Sequence, residues 1–112
     1  IKMNNINEAI NIVKRFEGLT VLIIGDVMID SYLWGTTERV SPEAPVPIVN
    51  VTRKEHRMGG AANVALNIKA LGATPIICTI IGADEMAMVY TDLLRSREMT
   101  DEGVLVSSNR IT

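Results

Sequence analysis

Apolar residues recur at helical spacing near the start of the chain, at Ile6, Ala9, Ile10, Val13 and Phe16. The spacing predicts an amphipathic helix over residues 5–16, with a stop near Gly18. The pattern then changes. Val21-Leu22-Ile23-Ile24 is a continuous aliphatic run ending at Gly25, the signature of a buried parallel strand. Residues 31–58 hold Pro42, Pro45 and Pro47 among interleaved polar positions. Short strands over 32–35 and 46–53 fit this stretch, and the prolines keep the second off a central position. It reads as an antiparallel excursion from the main sheet. Gly59-Gly60 opens a segment rich in small residues, 61–71, with Val64, Ile68 and Leu71 on one face beside Ala61 and Ala65. A helix packed closely on a sheet is expected there, ended by Gly72. Residues 75–81 predict a second buried strand closed by Gly82. Residues 84–99 predict a helix capped by Asp84, with Met86, Val89, Tyr90 and Leu93 facing inward. Residues 103–106 predict a third strand. Strands alternating with helices imply an α/β fold with a parallel sheet and right-handed crossovers.

Composition narrows the partners. Hydrophobic residues make up 47 % and aromatics 4 %, so the core must be aliphatic. Eleven basic and thirteen acidic residues leave a formal charge of −2 with no basic block, which argues against nucleic acid. The lone Cys78 cannot form an intrachain disulfide, fits a reducing, cytoplasmic compartment, and is expected to be a small buried hydrophobe. No apolar run reaches the roughly 20 residues of a membrane span, so no membrane partner is expected. Ile1-Lys2-Met3-Asn4 is not followed by the apolar stretch of a signal peptide, and both chain ends are expected to be cut points of a longer protein.

Two stretches could carry chemistry. Gly25-Asp26-Val27-Met28-Ile29-Asp30 places two carboxylates after the carboxyl end of the first strand, where open α/β sheets bind ligands. A carboxylate there can accept protons from two hydroxyls of a polyol. Turn-forming aspartates satisfied by water are the alternative. Gly59-Gly60-Ala61-Ala62-Asn63 combines close backbone approach, a helix N-terminus and an amide that can donate and accept. A tight loop with a solvent-facing Asn63 is its alternative. The string fits neither the dinucleotide fingerprint nor the phosphate loop. His56, the only histidine, has no ligating neighbour, so no metal site is expected and an exposed position is. Arg39, Arg53, Lys54 and Arg57 read as scattered surface charge, with anion binding a second possibility.

Together these segments resemble the N-terminal region of the ribokinase, or phosphofructokinase B, family of carbohydrate kinases. The strand into Gly25-Asp26 with Asp30 resembles its first sugar contact, and Gly59-Gly60-Ala61-Ala62-Asn63-Val64-Ala65 its glycine-rich signature. Ile81-Gly82-Ala83-Asp84-Glu85 resembles its next strand and acidic turn. The string Trp34-Gly35, then Glu38-Arg39-Val40-Ser41-Pro42-Glu43-Ala44-Pro45-Val46-Pro47, is similar to the heptose-7-phosphate kinase domain of bifunctional ADP-heptose synthases. Departures are one residue fewer before Asn63, Ala83 where an Asp is usual, and Ala87 where a Gly is usual.

The resemblance implies the N-terminal part of a three-layer α/β/α fold over residues 1–112, with a β-lid at about 31–58 that joins two copies into a homodimer. It implies a small sugar phosphate as substrate, bound by Asp30, Gly59, Gly60 and Asn63, with Arg39, Arg53 or Arg57 on its phosphate. The whole enzyme would use ATP and magnesium to phosphorylate an anomeric hydroxyl for lipopolysaccharide synthesis. The family's Gly-Ala-Gly-Asp stretch, which carries the catalytic base, has no match here, so the base and nucleotide site are expected beyond Thr112. The chain alone is expected to bind neither cofactor and to be inactive. Rival readings are a kinase of another sugar or nucleoside, and a non-catalytic binding or dimerisation module.

Overall fold

The computed structural model describes residues 5–41, 43 and 47–112. Asn5 starts the first helix, α1 (Ile6–Lys14), by accepting a hydrogen bond on Oδ1 from the Glu8 N–H at 2.9 Å. A 3₁₀ turn, Arg15–Gly18, follows. The helix forms as expected, but its apolar stripe is left open: no α1 residue is buried, and Ile6, Ile10 and Val13 are exposed. Periodicity decides which side of a helix is apolar, but not whether anything covers it.

Strand β1 (Thr20–Ile24) leads into the ribbon strands β2 (Val27–Val40) and β3 (Pro47–Gly60), then α2 (Ala61–Ala70), β4 (Thr74–Gly82), α3 (Glu85–Ser96) and β5 (Val104–Ser107). The strands β1, β4 and β5 form a parallel sheet in the order β1-β4-β5. Side chains alternate across it. Ile77 and Ile81 point to one face, where Ala62, Ala65, Tyr90 and Leu94 from α2 and α3 close the core. Leu22, Ile24, Ile80 and Leu105 point the other way and are exposed. The first strand is therefore half-buried on one face and exposed on the other, where a continuous aliphatic run predicts burial on both. Cys78 lies on this barer face and is half-buried rather than buried.

Two helices follow the sequence closely in extent and less closely in facing. In α2 the packed stripe is Ala61, Ala62 and Ala65 with Leu66, whereas Val64 and Leu71 are exposed. Alanine lets the helix approach closely, so the smallest side chains mark the contact. Gly72 ends it with φ +103°. In α3 Ala87, Tyr90 and Leu94 are buried, while Met86, Val89 and Leu93 are half-buried. Its predicted cap holds: Asp84 Oδ1 accepts from the Ala87 N–H at 2.9 Å.

The excursion differs most from its expected form. It is one antiparallel ribbon of two 14-residue strands, running from Val27↔Gly60 to Val40↔Pro47. It begins directly after the β1 turn rather than at residue 31. Pro47 is its first β3 residue, a place where a missing N–H is tolerated. Two register shifts, at Trp34/Gly35 and Thr37/Arg39, absorb the irregular positions. Pro42, Pro45 and Val46 lie outside the described residues, as do the side chains of Arg39 and Val49. At its base Val27, Ile29 and Met58 pack on the main core. No helix among the described residues is long and apolar enough to cross a membrane.

Candidate sugar site

The site is built where the ribbon leaves the sheet. The Ala61 N–H, first in α2, donates to the Asp26 carbonyl at 2.8 Å and ties the helix start to the β1–β2 turn. Gly60 makes this possible, with φ +59° and ψ −136°, a conformation side chains resist. A Cβ there would fall 2.6 Å from the Asp26 oxygen. The two carboxylates of the turn then separate in role. Asp26 is committed to an ion pair with Arg110, at 2.9 Å. Asp30 is exposed and has no hydrogen-bond or ion-pair partner among the described residues.

Asp30 stands on β2, opposite Arg57, and not in the turn itself. Its carboxylate lies over Gly59: a Cβ on Gly59 would be 2.7 Å from Asp30 Oδ2. Three of the four expected sugar-contacting residues thus share the ribbon base. Asn63 is exposed in the first turn of α2 and lines a cleft of about 220 Å³ with His56, Met58, Leu66 and Leu93. Asp30 is not among the residues lining that cleft. His56 is half-buried rather than exposed, because it sits on the inward side of β3, bonded through Nδ1 to Ser31 Oγ at 2.8 Å.

The open face of the ribbon holds a constellation that reading the charges singly misses. Three cross-strand pairs follow one another: Asp30↔Arg57, Tyr32↔Glu55 and Trp34↔Arg53. Tyr32 and Trp34 stack with ring centroids 5.7 Å apart. The Arg57 guanidinium lies 4.6 Å from the Tyr32 ring, and that of Arg53 lies 4.4 Å from the Trp34 ring. Both guanidiniums donate to one oxygen, Glu55 Oε2, at 2.9 Å from Arg53 and 3.2 Å from Arg57. The hydrogen bond from Arg57 leads the effects that hold the Glu55 carboxyl below its ordinary range, and Glu55 in turn raises Arg57. The signal was in the sequence as two period-two strings, Asp30-x-Tyr32-x-Trp34 and Arg53-x-Glu55-x-Arg57.

The acidic turn after β4 is used structurally. Asp84 Oδ2 accepts from the Thr112 N–H at 2.7 Å, and the hydrogen bonds from Thr112, with that from the Ala87 N–H, hold its carboxyl below the usual carboxylate range. A wider cleft of about 640 Å³ opens beside it, lined by Gly82, Met88, Asp92 and Val106 among others.

The model of a family described as "pfkB family carbohydrate kinase" matches residues 19–112. The chain belongs to the pfkB carbohydrate kinase family. This pfkB chain is 55 % identical over 83 residues to the bifunctional protein HldE of Nitrosococcus oceani, covering 74 % of the chain and 18 % of that protein. It is 46 % identical over 92 residues to HldE of Helicobacter acinonychis, covering 82 % of the chain and 20 % of that protein. The chain thus spans about a fifth of the length of the curated relatives it matches. Among solved structures it is similar to the Halothermothrix orenii fructokinase, with TM-score 0.56 and 24 % identity, covering 84 % of the chain and 31 % of that structure. A Methanocaldococcus jannaschii nucleoside kinase of the ribokinase family gives TM-score 0.57 and 20 % identity, covering 83 % and 30 %. These likenesses establish the fold: the chain has the N-terminal part of a ribokinase-like α/β architecture.

Proposed function

We propose that this chain is the N-terminal, sugar-binding part of an ATP-dependent kinase that phosphorylates the anomeric hydroxyl of a heptose 7-phosphate, for ADP-heptose and lipopolysaccharide synthesis. The observation that carries the reading is Asp30, an unpartnered carboxylate laid across the bare Cα of Gly59 in a chain whose relatives are HldE proteins. Asp30 binds two ring hydroxyls, and Gly59 and Gly60 let the ring lie close to the backbone. Asn63, which lines a cleft that Asp30 does not, is left unassigned to the ring. A charged acceptor is suited to this work because hydrogen bonds to an ion are about twice as strong as neutral ones.

Among the described residues no group of His, Cys, Asp and Glu is able to hold a metal ion. In this reading ATP, magnesium and the catalytic base belong to the whole kinase. The part described here binds and orients the sugar, and we place the enzyme in the cytoplasm. A coupled assay with ATP, magnesium and heptose 7-phosphate tests the reading. Turnover by the whole kinase and none by the 112-residue chain supports it. Turnover by the chain alone, or a whole kinase indifferent to heptose 7-phosphate, refutes it.

A further inference from the structure

We propose that Arg57 reads the phosphate of the sugar substrate and sets the enzyme's preference for a phosphorylated over a free sugar, with Glu55 and Tyr32 as its positioning residues. The inference rests on the function proposed above and deepens it.

Consider first what the Arg53-Glu55-Arg57 triad is not. All three residues lie on β3, so their ion pairs join nothing across the ribbon. The arginine side chains are exposed, at 63 % for Arg53 and 51 % for Arg57, Glu55 is half-buried at 33 %, and ion pairs this open to water add little to stability. The contacts with the Tyr32 and Trp34 rings do join β3 to β2, but they use only one face of each guanidinium and leave its N–H donors without a structural role.

Now consider what the arrangement offers. Each guanidinium spends one face on an aromatic ring and one Nη2 on Glu55. An arginine has five N–H donors in a rigid fork, and the rest here have no partner among the described residues. Two cations share one anion, so the triad keeps a net positive charge. The Glu55 oxygen shows that an oxyanion fits between the two forks. A phosphate has several such oxygens and takes a bidentate grip from Arg.

Position singles out Arg57. It pairs in register with Asp30, yet its guanidinium leans over Tyr32, one same-face step toward the ribbon tip. Such a step is about 7 Å along a strand. A sugar held at Asp30 by ring hydroxyls reaches that far through the few C–C and C–O bonds leading to a phosphate on its terminal carbon. Arg53 lies over Trp34, a further step away. Arg39 opposes Ile48 beyond the second register shift, farther still from Asp30.

The experiment uses the whole kinase and compares heptose 7-phosphate with unphosphorylated heptose for the native enzyme, Arg57→Gln, Arg57→Lys and Arg53→Gln. Arg57→Gln should raise KM for the phosphorylated sugar roughly tenfold or more and leave kcat within about threefold. Its effect on KM for free heptose should be several-fold smaller than on KM for the phosphorylated sugar. Arg57→Lys should restore part of the loss, and Arg53→Gln should do less harm than Arg57→Gln. Circular dichroism of each variant checks that the ribbon is intact. Equal losses on both sugars would mean a structural role and overturn the assignment. So would a phosphate preference that survives Arg57→Gln. A native enzyme with equal specificity for both sugars would instead overturn the proposed function, and this assignment with it.

Discussion

Asp30 Oδ2 occupies the space that a side chain at Gly59 would claim, 2.7 Å from where the Cβ would stand. The carboxylate is the free end of a side chain, so it can swing away without disturbing the backbone. Gly59→Ala should therefore displace Asp30 and cost activity while leaving thermal stability nearly unchanged. Asp30→Asn should act the same way, because the native carboxylate has no partner among the described residues to lose. Its expected cost in the whole kinase is roughly 3 kcal/mol of transition-state stabilisation, about a hundredfold in kcat/KM. Steady-state kinetics with a melting curve on each variant checks both. Unchanged kcat/KM for Asp30→Asn would remove Asp30 from the site.

Gly60→Ala should fail differently. Its φ of +59° and ψ of −136° suit only glycine, and the new Cβ would meet the Asp26 carbonyl oxygen, a backbone atom that already accepts the Ala61 N–H. The backbone has to move, and the ribbon base and α2 move with it. A loss of about 1–3 kcal/mol is expected, read from urea unfolding of the whole kinase. A variant as stable as the native protein would show that the turn relaxes freely.

Tyr90 is fully buried, and its hydroxyl has no hydrogen-bond partner among the described residues; the buried Thr79 hydroxyl likewise has none among them. Replacing Tyr90 by Phe removes an unsatisfied polar atom and keeps the ring. Tyr90→Phe should be neutral or stabilising by up to about 1 kcal/mol. Burial also pushes the Tyr90 hydroxyl up to about 12 from an ordinary value of 10.0. Above pH 10 the unfolded chain gives up this proton while the folded chain keeps it, so stability falls as pH rises from about 10 to 12. The phenylalanine variant should lose that part of the alkaline decline. A strongly destabilised variant would mean that the hydroxyl has a partner such as a buried water.

The ribbon carries exposed apolar side chains at Leu33, Val40 and Val51. Exposed apolar strands invite pairing with another chain, and two-fold pairing of identical chains is the commonest outcome. We propose that the whole kinase is a homodimer through this ribbon. Val51→Asp should convert it to a monomer with its fold intact, as read by sedimentation equilibrium and circular dichroism. A native kinase that stays monomeric at high concentration would refute the proposal.

Much of the layout was legible. The order of β1, α2, β4, α3 and β5, the Asp84 cap and the Gly72 stop all follow from rules acting over a few residues. The ribbon was legible only in part. Its prolines marked it as peripheral, but its length depends on Val27 finding Gly60 and Val40 finding Pro47. Arg53 and Arg57 read as scattered charge for the same reason. Tyr32 and Trp34, which turn them into a site, lie on the other strand.

By itself, then, the sequence determined what neighbours along the chain can determine: helix and strand type, caps and stops, the glycines that free the backbone, and two strings of alternating residues that each present one face. Tertiary structure alone decided what those faces meet. It left the α1 stripe exposed, covered the main sheet with α2 and α3 on one side, turned His56 inward to Ser31, and split Asp26 from Asp30 by giving only the first an arginine. The physical reason is range. Dihedral preference and hydrogen bonding within a turn act locally, whereas burial and cross-strand register depend on residues far along the chain and are settled only when the whole sheet closes.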